Sequence, residues 1–179
     1  AGYKPQQREA ICTLWKTIYR VCGFPPPSSG HIAVMQILGL QERASAVASP
    51  LADKLPSADW LHSYTEASRL AYADRAQYVA DPDFVPAPAG RWTSLLDDAY
   101  LKQRASLIGA QSMSTAKPGV PAGASGAFAS QGEQPEYGTS HISIVDGDGR
   151  AVAMTTTIEA VFGARVMSDG GSGKAGGFL

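Results

Sequence analysis

Charge, cysteine, histidine and long apolar runs are all scarce in this sequence, and each shortage closes a class of function. Charged residues make up 17% of the chain and the formal net charge is −1, so there is no basic field to hold nucleic acid or an anionic lipid surface. No window offers the eighteen or so uncharged apolar residues of a membrane-spanning helix, and the opening AGYKPQQREA has no apolar stretch of the signal-peptide kind. A soluble chain without a membrane span or a nucleic-acid partner is expected. His31, His62 and His141 are too scattered for a metal site. Cys12 and Cys22 are the only cysteines, in the strand-like runs EAICTLW and TIYRVCG. Their spacing fits no zinc or redox motif, which leaves a cross-strand disulfide and two buried thiols as alternatives.

A local shortage matters as much. Residues 109–138 are rich in Gly, Ala, Ser and Pro with almost no large apolar side chain, which predicts a flexible segment leading to Thr139.

What is present is 44% hydrophobic residues in 179, enough for one packed core. Residues 8–23 read as two short strands, and the prolines of GFPPPSSG end regular structure. A short buried helix follows, with Ser28 or Ser29 as N-cap and Gly39 near its end. From Asp59 to Tyr78, Trp60, Leu61, Tyr64, Ala67, Ser68, Ala71, Arg75 and Tyr78 recur at helical spacing. TSLLDDAYLKQRASLI reads as a further helix with Thr93 or Ser94 as cap.

The stretch GTSHISIVDGDGRAVAMTTT reads as a β-hairpin turning at DGDG. A loop centred on Asp148 pairs Ile142 with Met154 and Ile144 with Val152, giving one apolar face. The other face then gathers Thr139, His141, Ser143, Ala153, Thr155 and Thr157, with Thr139 opposite Thr157. Threonine also favours strands for its shape, so such a face can be no more than a solvated one. A Gly/Ala/Pro segment ending in Gly138 just before a hydroxyl residue, however, suits backbone cleavage.

Together, FPPPSSGHIAVMQIL, ASRLAYADRAQYVADPDFV and GTSHISIVDGDGRAVAMTTTIEAVFGARV resemble, in order and spacing, the γ-glutamyltransferase (γ-glutamyltranspeptidase) family of N-terminal nucleophile hydrolases. The resemblance implies an α+β fold, part of an αββα layered architecture, with helices packed on an incomplete antiparallel sheet. It also implies a precursor that cuts itself between Gly138 and Thr139. Residues 1–138 would be the C-terminal part of a large subunit, and residues 139–179 the start of a small subunit whose first residue is the nucleophile. The motif of a Thr, a Thr or Ser, and a His falls on Thr139, Ser140 and His141. Thr157 matches the hydroxyl that orients the nucleophile, and Glu159 the position that contacts the α-amino end of the glutamyl group. His141 is expected to hydrogen-bond near the junction rather than to act as a base.

A threonine at a new N-terminus carries its own base, an α-amine with an ordinary pKa of about 7.7 to 8.0. The implied substrates are glutathione and other γ-glutamyl amides, with amino acids, peptides or water as acceptors and with no metal or organic cofactor. The implied partners are the remaining parts of the protein's own large and small subunits, and the implied location is periplasmic or secreted. The family's carboxylate-gripping arginine, its Gln/Asp and paired-serine segments and its oxyanion glycines have no counterpart in these residues, so this chain is expected to be a fragment spanning the subunit junction and inactive by itself. The alternative is a non-catalytic relative or scaffold piece whose hairpin mediates assembly. SDGGSGKAGG fails as a phosphate loop because Ser168 and Ala175 stand where Gly and Ser/Thr are needed.

Overall fold

The computed structural model describes residues 4–45, 47, 49–125, 128–132 and 138–157. Two compact units divide the chain, residues 1–131 and 132–179.

The first unit opens with a hairpin of β1 (Ile11–Trp15) and β2 (Tyr19–Gly23). Its register places Cys12 opposite Cys22, and the two are joined by a disulfide across Cα atoms 4.1 Å apart. The open choice between disulfide and free thiols is thus resolved by the register. Helix α1 (Gly30–Arg43) packs on this hairpin. Its buried His31 meets Thr13 Oγ1 through Nε2 at 3.1 Å, and a Cβ at Gly23 would fall 2.7 Å from the His31 Cβ. Burial lowers the His31 pKa.

α1 runs one turn beyond Gly39. Gly39 is there for closeness, since an added Cβ would lie 2.7 Å from Leu101 Cδ1. Ser29 stands at the N-cap, but its hydroxyl accepts from Arg75 Nε at 2.8 Å instead of capping the helix. A two-residue hairpin follows, β3 (Leu51–Ala52) with β4 (Leu55–Pro56).

Helix α2 (Ala58–Tyr78) starts where Ser57 accepts the Trp60 amide at 3.2 Å, an N-cap that satisfies one of the orphan donors of the first turn. Its buried face differs from the apolar pattern. Ser63, Glu66, Ala67, Leu70, Ala71, Asp74 and Tyr78 are buried, while Leu61 and Tyr64 are exposed. The face is rotated because two carboxylates, Glu66 and Asp74, lie inside it.

The expected helix over TSLLDDAYLKQRASLI is split. A 3-10 turn occupies Trp92–Leu96 and α3 spans Asp98–Ala105. Ser94 cannot cap α3 because its hydroxyl donates to the Pro88 carbonyl at 2.8 Å, and Asp97, at the N-cap position, is held by Arg91.

Ile37, Leu40, Ala67, Leu70, Ala71, Leu101 and Ala105 form one core where the three helices meet, and Ile32, Tyr78, Leu95 and Tyr100 form a second. Asp74, fully buried, joins them. Its carboxylate accepts from Gln36 Nε2 of α1 at 2.5 Å, Tyr100 Oη at 2.9 Å and Arg104 at 2.9 Å of α3, and the Gly119 amide at 2.8 Å. Burial pushes the Asp74 pKa up, and Arg104 and the other donors oppose it. Burial and the neighbouring Asp74 charge also push the Tyr100 hydroxyl up, which keeps it a donor.

The segment after α3, expected to be flexible, is tied to α2 along much of its length. Glu66 accepts from the Ser112 hydroxyl at 2.9 Å and the Met113 amide at 2.7 Å. Arg69 donates to the Ser114 carbonyl at 3.0 Å, and Tyr78 Oη donates to the Gly119 carbonyl at 2.6 Å. Phe128 packs edge-on against Tyr78, and the Gln131 amide donates to the Ala76 carbonyl at 2.8 Å. Composition misses this because most of these anchors are polar groups of α2, while few apolar residues of the segment, Met113 and Phe128 among them, pack on the core.

The second unit contains β5 (Ser140–Val145) and β6 (Ala151–Thr156), paired antiparallel. The fold is α+β. Its described strands form three separate two-stranded sheets instead of one incomplete sheet, each hairpin pairing across its own turn.

Asp74→Ala leaves the buried Arg104 guanidinium without its counter-charge, so a loss of about 3–5 kcal/mol is expected in denaturant unfolding; an unfolding free energy close to that of wild type would contradict the role given to Asp74. Burial works against the Glu66 charge, but the Met113 amide, Ser112 and Arg69 outweigh it and hold the carboxyl below its ordinary value. A depressed carboxyl contributes stability above its unfolded pKa of about 4.3, lost as pH falls through the folded value. Amide exchange at Met113 should therefore speed up as pH drops below about 4, beyond the intrinsic pH effect, and Glu66→Gln should abolish that extra pH dependence.

Candidate active site

The hairpin of the second unit is shaped by its turn. The Gly149 amide donates to the Asp146 carbonyl at 3.0 Å, and Gly149 takes φ +80, a left-handed conformation that glycine adopts without a Cβ penalty. The Asp146 carboxylate accepts the amides of Asp148 and Arg150, both at 2.9 Å. This fixes a three-residue connection centred on Asp148 and with it the register. Ile142 faces Met154 and Ile144 faces Val152, as the apolar alternation predicts.

Because the side-chain period of a strand is two, the opposite face carries His141, Ser143, Ala153 and Thr155. The ladder ends at Ser140 opposite Thr156. Thr139 and Thr157 are the next pair in this register, one residue outside each strand on the hydroxyl face, and both are exposed. Thr156, the middle of the three threonines, belongs to the apolar face. His141 is held by two hydroxyls, Nδ1 at 2.7 Å from Thr155 Oγ1 and Nε2 at 3.0 Å from Ser143 Oγ. The hydrogen bonding expected of His141 is present; its partners were legible only as neighbours on one face.

Gly138 is exposed, and a Cβ added there meets nothing within 4 Å, so packing does not demand a glycine at that position. Glu159 lies outside the described residues. Both faces of the hairpin are exposed, Ile142 at 43% and Met154 at 48%.

In the helical unit, a cleft of about 620 Å³ is lined by residues that include Ser29, Arg75, Tyr78 and Phe128. Among the described residues no three His, Cys, Asp or Glu side chains are grouped to hold a metal ion, and none of the helices is long and apolar enough to cross a membrane.

A family model described as gamma-glutamyltranspeptidase matches residues 1–173. The chain belongs to the γ-glutamyltranspeptidase family. It is 38% identical over its whole length to the glutathione hydrolase proenzyme of Pseudomonas aeruginosa, of which it covers 28%. It is 36% identical over 94% of its length to the glutathione hydrolase proenzyme of Escherichia coli, of which it covers 26%. The chain thus spans about a quarter of the length of these curated relatives. A solved γ-glutamyltranspeptidase from Pseudomonas nitroreducens, complexed with L-DON, superposes with a TM-score of 0.55 at 30% identity, over 65% of this chain and 34% of that one.

Proposed function

We propose that the full-length protein is a γ-glutamyltransferase and hydrolase acting on glutathione and other γ-glutamyl amides through an N-terminal threonine that it makes by cutting itself. The observation that carries this reading is the hairpin register, which makes Thr139 and Thr157 the next pair on one hydroxyl face, in a chain of the γ-glutamyltranspeptidase family.

In the mature enzyme Thr139 Oγ attacks the γ-glutamyl carbonyl carbon while the Thr139 α-amine takes up the hydroxyl proton and then delivers it to the leaving amine. The resulting glutamyl ester passes to water, an amino acid or a peptide. Thr157 orients the nucleophile, and Glu159 meets the α-amino end of the glutamyl group. No metal or organic cofactor takes part.

On this reading residues 1–138 belong to the large subunit and 139–179 begin the small one. The remaining parts of both subunits complete αββα layers, cover the apolar face of Ile142, Ile144, Val152 and Met154, and supply the oxyanion donors. Residues 1–179 alone are accordingly inactive, since losing even one such donor costs about 10²–10³ in rate. A periplasmic or secreted location is supported by the Cys12–Cys22 disulfide, a bond that persists in oxidising compartments.

The test is turnover of a γ-glutamyl anilide by the full-length protein. Thr139→Ala should remove turnover entirely, and Thr157→Ala should lower it about 10²-fold through lost orientation. Thr139→Ala turning over at the wild-type rate would leave the non-catalytic, assembly-only reading of the hairpin in its place.

A further inference from the structure

Before cleavage the Thr139 nitrogen is an amide bonded to Gly138, without a basic lone pair. The amine that serves the mature nucleophile is therefore missing at the step that creates it, and the Thr139 hydroxyl needs another proton acceptor. On the described hydroxyl face, β6 presents Ala153 and Thr155 with Thr157 just beyond, and β5 presents Ser143; none of these is a base. The charged side chains Asp146, Asp148 and Arg150 sit around the turn at the far end, where Arg150 pairs with both aspartates. Among the described residues the face carries a single imidazole, the side-chain type that exchanges a proton most readily in the neutral range.

That imidazole is fixed in place. His141 Nδ1 lies 2.7 Å from Thr155 Oγ1 and Nε2 lies 3.0 Å from Ser143 Oγ. A neutral ring accepts at one nitrogen and donates at the other, and hydroxyls can do both. Thr155 is directly opposite His141 in the ladder, so on the same register it is diagonal to Thr139, about 7–8 Å away between Cα atoms and somewhat closer between Cβ atoms, which lets the two hydroxyls meet only when both turn toward each other.

We propose that His141 is the proton acceptor for self-cleavage, acting on Thr139 through the Thr155 hydroxyl, as a positioning residue of maturation that is separate from the α-amine of turnover. This rests on the reading of Thr139 as the nucleophile. In the first step Thr139 Oγ passes its proton to Thr155 Oγ, Thr155 passes its own to His141 Nδ1, and a bond forms between Thr139 Oγ and the Gly138 carbonyl carbon. Nε2–H meanwhile donates to Ser143 Oγ and holds the tautomer. Collapse of the tetrahedral adduct breaks the bond between the Gly138 carbon and the Thr139 nitrogen. The imidazolium returns its proton by the same path to that nitrogen, which becomes the α-amine. Water then hydrolyses the ester: hydroxide goes to the Gly138 carbon and a proton to Thr139 Oγ. One water is consumed and His141 ends as it began.

Cleavage of the full-length protein, followed by gel and intact mass, tests this with three variants. His141→Gln can hydrogen-bond to both hydroxyls but cannot take the proton, so cleavage should slow by about 10²-fold or more and its pH profile should lose a limb present in wild type. In His141→Ala, added imidazole should restore cleavage in a pH-dependent way. Wild-type rate and profile in His141→Gln, or His141→Ala that imidazole does not accelerate, would overturn the proposal. Thr139→Ala separates the two readings, because cleavage that survives at residue 138 in that variant defeats the nucleophile assignment itself.

Discussion

A carboxylate removed from water must find protein donors for its oxygens or lose its charge, and Asp74 draws its donors from three other parts of the chain. Gln36 comes from α1, Tyr100 and Arg104 from α3, and the Gly119 amide from the segment that follows. Because Asp74 itself belongs to α2, one side chain holds all three helices and the connection beyond them. The small residues of the core, Gly39, Ala67 and Ala71, let the helices approach closely enough for this to happen. Glu66 repeats the arrangement two turns earlier, binding the same downstream segment at Ser112 and Met113. A stretch poor in apolar residues is ordered here by hydrogen bonds to buried charge, each worth more than a neutral one.

The hairpin of the second unit obeys a different constraint. Its shape comes from local bonds, an aspartate caging the turn and a glycine taking the left-handed position, and its side chains are exposed on both faces. Two strands alone are marginal in water. What they do provide is order along a line. Period-two alternation sorts hydroxyls from apolar groups, so that His141, Ser143 and Thr155 share a face that leads to Thr139 and Thr157. The proposed nucleophile and its proposed helpers are collected by register rather than by a pocket.

The hairpin was the most legible element in the sequence, because its alternation, its DGDG turn and its residue count all specify the same pairing. α2 was legible in extent but not in orientation. A search for apolar spacing takes Tyr64 and Leu61 for the inner face and passes over Glu66 and Asp74, since a carboxylate reads as surface until its partners are known. Those partners are as many as 47 residues away in sequence, as with Met113 from Glu66, and Gly119 is 45 from Asp74. Ser94 misled as a helix cap for a similar reason: a buried serine hydroxyl went to the Pro88 carbonyl, which no local pattern announces. The Cys12–Cys22 bond was undecidable until the register of β1 and β2 set the two residues opposite one another. The proposed roles of Thr139, Thr157 and Glu159 came through the family motif, and the register makes the first two the next pair beyond the ladder.

The central claim is that Thr139 becomes a chain terminus. Intact-mass and N-terminal analysis of the wild-type full-length protein after purification tests it most directly. The account predicts two polypeptides, the smaller beginning Thr139-Ser140-His141; a single uncut chain, or a cut that leaves any other residue first, would contradict it.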